Sequence, residues 1–300
     1  MPTVASTPTA IAAKPAGLEE WMSRASDRAG KAQRGFDIDE VHDLRVALRR
    51  CRTMADALSE VNPSPGWRKL KKATGSLFRA LGELRDVQVM AGLVKDLGQA
   101  RDPVRQHMLR LLFVREKESR KAAAEALESF DRKEWKKLAR KLGPKARFFP
   151  LESVVFQRLA LARLNQSAEL YQQARRKRSS ASWHRLRVAI KRFRYVVDNF
   201  LPRRYEVWVD DLKRLQDLLG ELHDLDVLRA AIRRDGPRLN SEVVAAWNQK
   251  IDRERKSRLV EINSKLHGPQ SVWMTWRAGF PLGHSLTAVP VSSERQRRSA

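Results

Sequence analysis

The sequence predicts an all-α protein: two antiparallel helical bundles that arose by internal duplication, from which an approximate two-fold axis between them is inferred. Three observations predict it. Apolar residues recur at intervals of three and four through the body of the chain, alternating β-branched runs are absent, and two sequence blocks each occur twice in the same order.

Residues 1–16 are rich in Ala, Thr and Pro, lack the basic and apolar segments of a signal peptide, and read as a disordered leader. The helical body spans 17–279, with repeats over about 17–142 and 150–279. Breakers separate its periodic segments at Asn62–Gly66, Asp102-Pro103, Gly143-Pro144, Phe149-Pro150, Pro202, Asp235-Gly236-Pro237 and His267-Gly268-Pro269. Asp102 suits an N-cap with Pro103 at the first helical position, where a missing N–H costs nothing. Asp37 with Glu40, and Ser182, are the caps expected for the helices that follow them. Each half then holds a leading helix, a motif helix, a second helix ending at a Leu-Gly block, a third and a long fourth. Residues 280–300 lack helical periodicity, carry Arg295, Arg297 and Arg298, and read as a basic disordered tail.

The first repeated block runs from Val41-His42-Asp43-Leu44-Arg45 to Arg52 and returns 142 positions later as Trp183-His184-Arg185-Leu186-Arg187 to Arg194. The second, Leu81-Gly82-Glu83-Leu84-Arg85-Asp86, returns 138 positions later as Leu219-Gly220-Glu221-Leu222-His223-Asp224. The offsets differ by four residues, about one helical turn, so the intervening helix keeps its facing.

On the motif helix, with His42 at zero, Arg45, Arg49 and Arg52 fall at about 300°, 340° and 280°. Leu44, Leu48, Cys51 and Ala55 occupy the adjoining arc, so one flank enters a core beside a cationic stripe. His184, Arg187, Lys191 and Arg194 repeat the stripe, and Leu186, Ile190, Phe193 and Val197 the apolar flank. Four basic or titratable groups on one face repel at this spacing, and no acid lies within either stripe, so an anion must compensate them. Arginine forks grip phosphate oxygens in pairs, Lys191 adds a point charge, and each histidine can donate a hydrogen bond.

Other groups carry two readings each. Lys71-Lys72 and Lys213-Arg214 either extend the cationic site or are plain exposed bases. Asp86 and Asp224 either orient neighbouring arginines or cap a third helix. Tyr195 is either a donor to phosphate or a core-edge ring. Arg50 and Arg192, far around the wheel, suit surface or ion-pair roles.

Sixty Lys and Arg against 35 Asp and Glu give a formal charge of +25, which attracts polyanions: nucleic acid, acidic membrane surfaces or phosphate polymers. Cys51 is the lone cysteine, excluding an intramolecular disulfide and a cysteine-based zinc site and fitting a reducing cytosol. No apolar run reaches membrane-spanning length. Catalysis lacks its usual parts: there is no His-Glu-x-x-His, no gathered carboxylates for magnesium, and valine (Val46, Val188) stands four residues after each motif histidine. The expectation is a non-catalytic binder without metal or cofactor. Nonspecific nucleic-acid binding is the rival reading, weakened by stripes free of stacking aromatics.

The doubled His-x-x-Arg-Val motif with basic residues after it, followed each time by Leu-Gly-x-x-x-Asp, resembles the CHAD family (conserved histidine α-helical domain). The likeness runs from about Leu18 to Gly279. It implies two antiparallel four-helix bundles with pseudo-two-fold symmetry, a basic central groove or pore that binds inorganic polyphosphate, and a cytoplasmic protein associated with polyphosphate granules. Carried over by position, the ligand-facing residues are His42, Arg45, Arg49, Arg52, His184, Arg187, Lys191 and Arg194, followed by Lys71, Lys72, Lys213 and Arg214. Lys191 stands where the first copy has Arg49. Lys72 and Arg79 correspond to Asp210 and Asp217, so the halves need not contribute equally.

Overall fold

The computed structural model describes residues 17–36, 38–235 and 240–280, and these form helices with no strand among them. In chain order they are α1 (Leu18–Gly35), α2 (Ile38–Val61), α3 (Pro65–Ala73), α4 (Gly75–Leu97), α5 (Pro103–Glu128), α6 (Arg132–Arg147), α7 (Val154–Lys177), α8 (Ser180–Phe200), α9 (Pro202–Asp235), α10 (Ser241–Leu266) and α11 (Val272–Ala278). The expected leader, the tail beyond Phe280 and the Asp37 cap lie outside the described residues.

Two groups of helices carry the main core. In the first, α1, α2, α3 and α6 pack around Met22, Leu44, Leu48, Trp67 and Leu142. In the second, α7, α8, the first half of α9, α11 and the end of α10 pack around Tyr171, Ile190, Phe193, Trp208 and Trp276. The apolar flanks read from the sequence are the buried ones: Leu44, Leu48, Cys51 and Ala55 on α2, and Leu186, Ile190, Phe193 and Val197 on α8, are all fully buried. Burial pushes the Cys51 thiol up from its ordinary value, which leaves it inert.

A third cluster bridges the halves. The far end of α4 and the start of α5 supply Met90, Val94, Val104 and Met108, and α9 and α10 supply Leu225, Leu228, Trp247 and Ile251. Asp102 joins them: it caps α5 by accepting from the Val104 and Arg105 N–H groups, and it also accepts from the Trp247 indole at 2.8 Å. A Cβ added at Gly98 would lie 2.6 Å from that indole ring, so glycine is what lets the α4–α5 turn approach it.

Several helix ends differ from expectation. Pro144 lies inside α6, which runs on to Arg147; the proline falls in the last turn, where few helical bonds remain to be lost. α8 is capped by Ser179, not Ser182, which sits inside the first turn and donates its hydroxyl back to the Ser179 carbonyl at 2.6 Å. The Leu-Gly blocks end no helix: they lie in the middle of α4 and of α9. α9 is one rod of 34 residues, about 50 Å long. Its counterpart is broken at Thr74 into α3 and α4.

Candidate functional site

Four helices touch in a closed cycle: α2 meets α8, α8 meets α9, α9 meets α4, and α4 meets α2. α2 and α8 are the motif helices, and their mutual contact is tied by charge. Arg50 on α2 pairs with Asp198 on α8 and donates to the Asn199 side-chain oxygen at 3.0 Å. Asn199 in turn donates to the Thr53 hydroxyl at 3.2 Å. Arg50 thus takes the ion-pair role open to it in the sequence. Arg192, its counterpart, is exposed, and Asp56, the carboxylate matching Asp198, holds Lys71 instead.

Beside this contact the two cationic stripes meet. Lys191 lies within electrostatic reach of Arg187 on its own helix and of Arg49 and Arg45 across the interface. Burial first, and then those three guanidinium groups, push its ammonium down to about 8. Arg45 is likewise lowered, by burial and then by Arg49. Among the described residues, no carboxylate lies within ion-pair distance of Arg45, Arg49, Arg187 or Lys191. The Arg45 Nε is buried without a hydrogen-bond partner, as are the Arg194 Nε, the Tyr195 hydroxyl and the Gln216 side-chain oxygen. Orphaned polar groups of this kind cost about 1–3 kcal/mol each, and of these Tyr195 lies beside Arg45 and Lys191.

The other two helices close the ring with Asp86 and Asp224. Burial raises the Asp224 carboxyl; Arg187 opposes that shift and Asp86 adds to it. Asp86 also acts on Arg45 and Lys191. The aspartates therefore lie within electrostatic reach of the stripes without pairing with them, and the helix-capping reading falls because both sit mid-helix. One turn before them, Cβ atoms placed at Gly82 and Gly220 would meet nothing within 4 Å, so the backbone borders open space there.

At the second-half end of the ring the His184 and His223 rings lie 4.7 Å apart. Burial, then Arg187 and His184, push His223 down to about 4. At the other end His42 and Arg45 line a cavity of about 150 Å³ with Arg85 and Gln88. A family model, the CHAD domain, matches residues 16–233. The chain belongs to the CHAD family. A solved structure, the crystal structure of the CHAD domain from the plant Ricinus communis, is similar at 22% identity and a TM-score of 0.54, covering 88% of each chain. At that identity the likeness is one of fold, and it reaches helices beyond residue 233. The comparison with curated proteins gave no match.

Not every residue expected at the site of this CHAD domain is brought to it. Arg52 donates to the Lys71 carbonyl at 2.6 Å and to the Thr74 hydroxyl at 2.9 Å, and lies over the Phe78 ring. Its guanidinium is spent on the backbone left open where α3 breaks from α4. Arg194 turns toward the Tyr205 hydroxyl at 3.5 Å. Lys71 is held by Asp56, and Arg214 is gripped in two-pronged fashion by Glu261, which raises the arginine and lowers the carboxylate. Lys72 and Lys213 are exposed. The stripes meet in Arg45, Arg49, Arg187 and Lys191, with His42 exposed at one end and His184 at the other. Sequence reasoning did not single out Phe78, the platform for both Arg45 and Arg52, or Gln216. Among the described residues no cluster of three or more His, Cys, Asp or Glu could hold a metal. No described helix is long and apolar enough to cross a membrane.

Proposed function

We propose that this CHAD domain binds inorganic polyphosphate, without turning it over, in the space ringed by α2, α4, α9 and α8. The observation that carries the reading is the set Arg45, Arg49, Arg187 and Lys191. These are four cations from two helices within electrostatic reach of one another, without an acid to pair them. An apo protein pays for such a set in self-repulsion and desolvation, and a flexible chain of phosphates relieves both. The three arginines can each take two phosphate oxygens. Through this site the protein would be drawn to polyphosphate granules in the cytoplasm.

Nucleic acid presents the same charge, but its bases seek exposed rings. Phe78 and Tyr195, the rings beside the stripes, are covered by cations from Arg45, Arg52 and Lys191. A competition titration decides between them. Polyphosphate binding that survives a large excess of single-stranded RNA supports the reading; displacement at equal phosphate concentration gives the site to nucleic acid.

The depressed lysine sets a pH dependence. Free Lys191 loses its proton around pH 8, while a bound polyanion restores the charged form. Binding therefore takes up a proton, and affinity falls as pH rises. Between neutral pH and about pH 9 the expected loss is about tenfold. Lys191→Arg, always charged, should flatten the profile; a parallel fall in that variant would remove Lys191 from the site. In the free protein the sign is opposite. The unfolded chain keeps this proton up to its ordinary value, so stability rises with pH across that window.

A further inference from the structure

Beyond the His184–His223 pair lies a cavity of about 790 Å³ at the turn between α7 and α8. Its lining holds five arginines, Arg178, Arg229, Arg233, Arg234 and Arg255, and one carboxylate, Asp226, with Arg234 already paired to the neighbouring Asp235 at 2.7 Å. Two of the arginines are built in. Arg255 is fixed by Asp226 at 2.6 Å and Arg229 by Asp252, with side chains only 15% and 19% exposed. The Arg229 Nε is buried and has no partner among the described residues. Arg178 and Arg233 are exposed and form no ion pair there either. Ser179 and Ser180 add hydroxyls at the start of α8.

The cavity continues the ring. On α8, Ser180 lies one turn before His184 and two before Arg187; on α9, Asp226 lies one turn after His223 and acts on it electrostatically. The first half has a smaller cavity at the matching turn, about 150 Å³, lined by Arg45, Arg85 and Arg120 together with Asp39. At the positions matching Arg178, Arg229, Arg233 and Arg234 stand Phe36, Ala91, Lys95 and Asp96. The second-half mouth is thus the larger, with five arginines against three.

We propose that this cavity is a second phosphate-binding subsite, occupied by the stretch of a polyphosphate chain that leaves the ring past His184 and His223. It deepens the polyphosphate reading and rests on it for the identity of the chain, but the cavity is testable by itself.

The test titrates the full chain with tripolyphosphate, long-chain polyphosphate and single-stranded RNA, with circular dichroism as the check on folding. The wild type should bind two tripolyphosphates, and Arg178→Ala/Arg233→Ala one, with long-chain affinity falling about tenfold. Lys133→Ala/Lys137→Ala, removing two exposed charges from α6, should bind as the wild type does. Unchanged stoichiometry in the cavity variant overturns the proposal, as does an equal loss in the α6 variant, which would make net charge the cause. A lost tripolyphosphate with unchanged long-chain affinity overturns the shared chain, leaving a pocket for small phosphates. If only RNA binding suffers, the cavity is a nucleic-acid surface and the proposal is again overturned. Arg45→Ala/Arg49→Ala/Arg187→Ala/Lys191→Ala separates the two readings: should it still bind two tripolyphosphates, the ring is not the site while the cavity stands.

Discussion

Replacing Arg45, Arg49, Arg187 and Lys191 together with alanine is expected to weaken polyphosphate binding by at least about a hundredfold while leaving the helical circular dichroism unchanged. A hydrogen bond to a charged group contributes about 1.5–3 kcal/mol, and even with strong non-additivity the loss of four exceeds two such bonds. The fold should tolerate the change because the four side chains lie on the flank away from the core. Leu44, Leu48, Ile190 and Phe193, which hold α2 and α8 in place, are untouched. Alanine is also the best helix former, and its introduction removes mutual repulsion among charges now half-buried together. The free variant should therefore melt no earlier than the wild type. Isothermal titration with a polyphosphate of defined length reads the affinity, and an affinity equal to that of the wild type would sink the assignment of the ring.

Asp198→Ala should destabilise the protein by about 3–5 kcal/mol, the ordinary consequence of removing one partner from a buried ion pair. Asp198 is 7% exposed and Arg50 is 23% exposed. Without the carboxylate, the guanidinium keeps only the Asn199 oxygen and the Trp21 ring as partners inside the α2–α8 contact. Urea unfolding should show a lower midpoint at unchanged slope. Arg50→Met/Asp198→Leu, which removes both charges, should recover most of the loss, because the penalty comes from the orphaned charge rather than from the missing attraction. A loss under about 1 kcal/mol for Asp198→Ala would mean that water reaches Arg50 and that the pair does not lock the motif helices.

Much of the arrangement was legible because helical periodicity acts locally. The stripes and flanks of α2 and α8 follow from residue spacing alone, and the matched blocks said that two such helices share a role. What stayed hidden depends on partners distant along the chain. Arg52 has the spacing of a ligand-facing residue, yet it is drawn to Thr74, 22 positions later, because a broken helix leaves carbonyls that need donors. No turn-forming residue pair announces that break. Lys71 and Arg214 looked like free bases until the fold placed Asp56 and Glu261 beside them. The stripes contain no acid, and Asp86 and Asp224, which act on them electrostatically, arrive from helices whose facing the sequence left open. Pro144 misled in the opposite direction, since its position in a final turn makes it a weak breaker.

The bridging cluster has a consequence for how the polypeptide is completed during synthesis. Met90, Val94, Val104 and Met108 emerge early, but Trp247 and Ile251, against which they settle, are made more than a hundred residues later. A growing chain must carry that oily hairpin without these partners until α10 leaves the ribosome. α9 delivers the fourth wall more than a hundred residues after α4, so the ring of helices cannot close until the second half of the chain has been made.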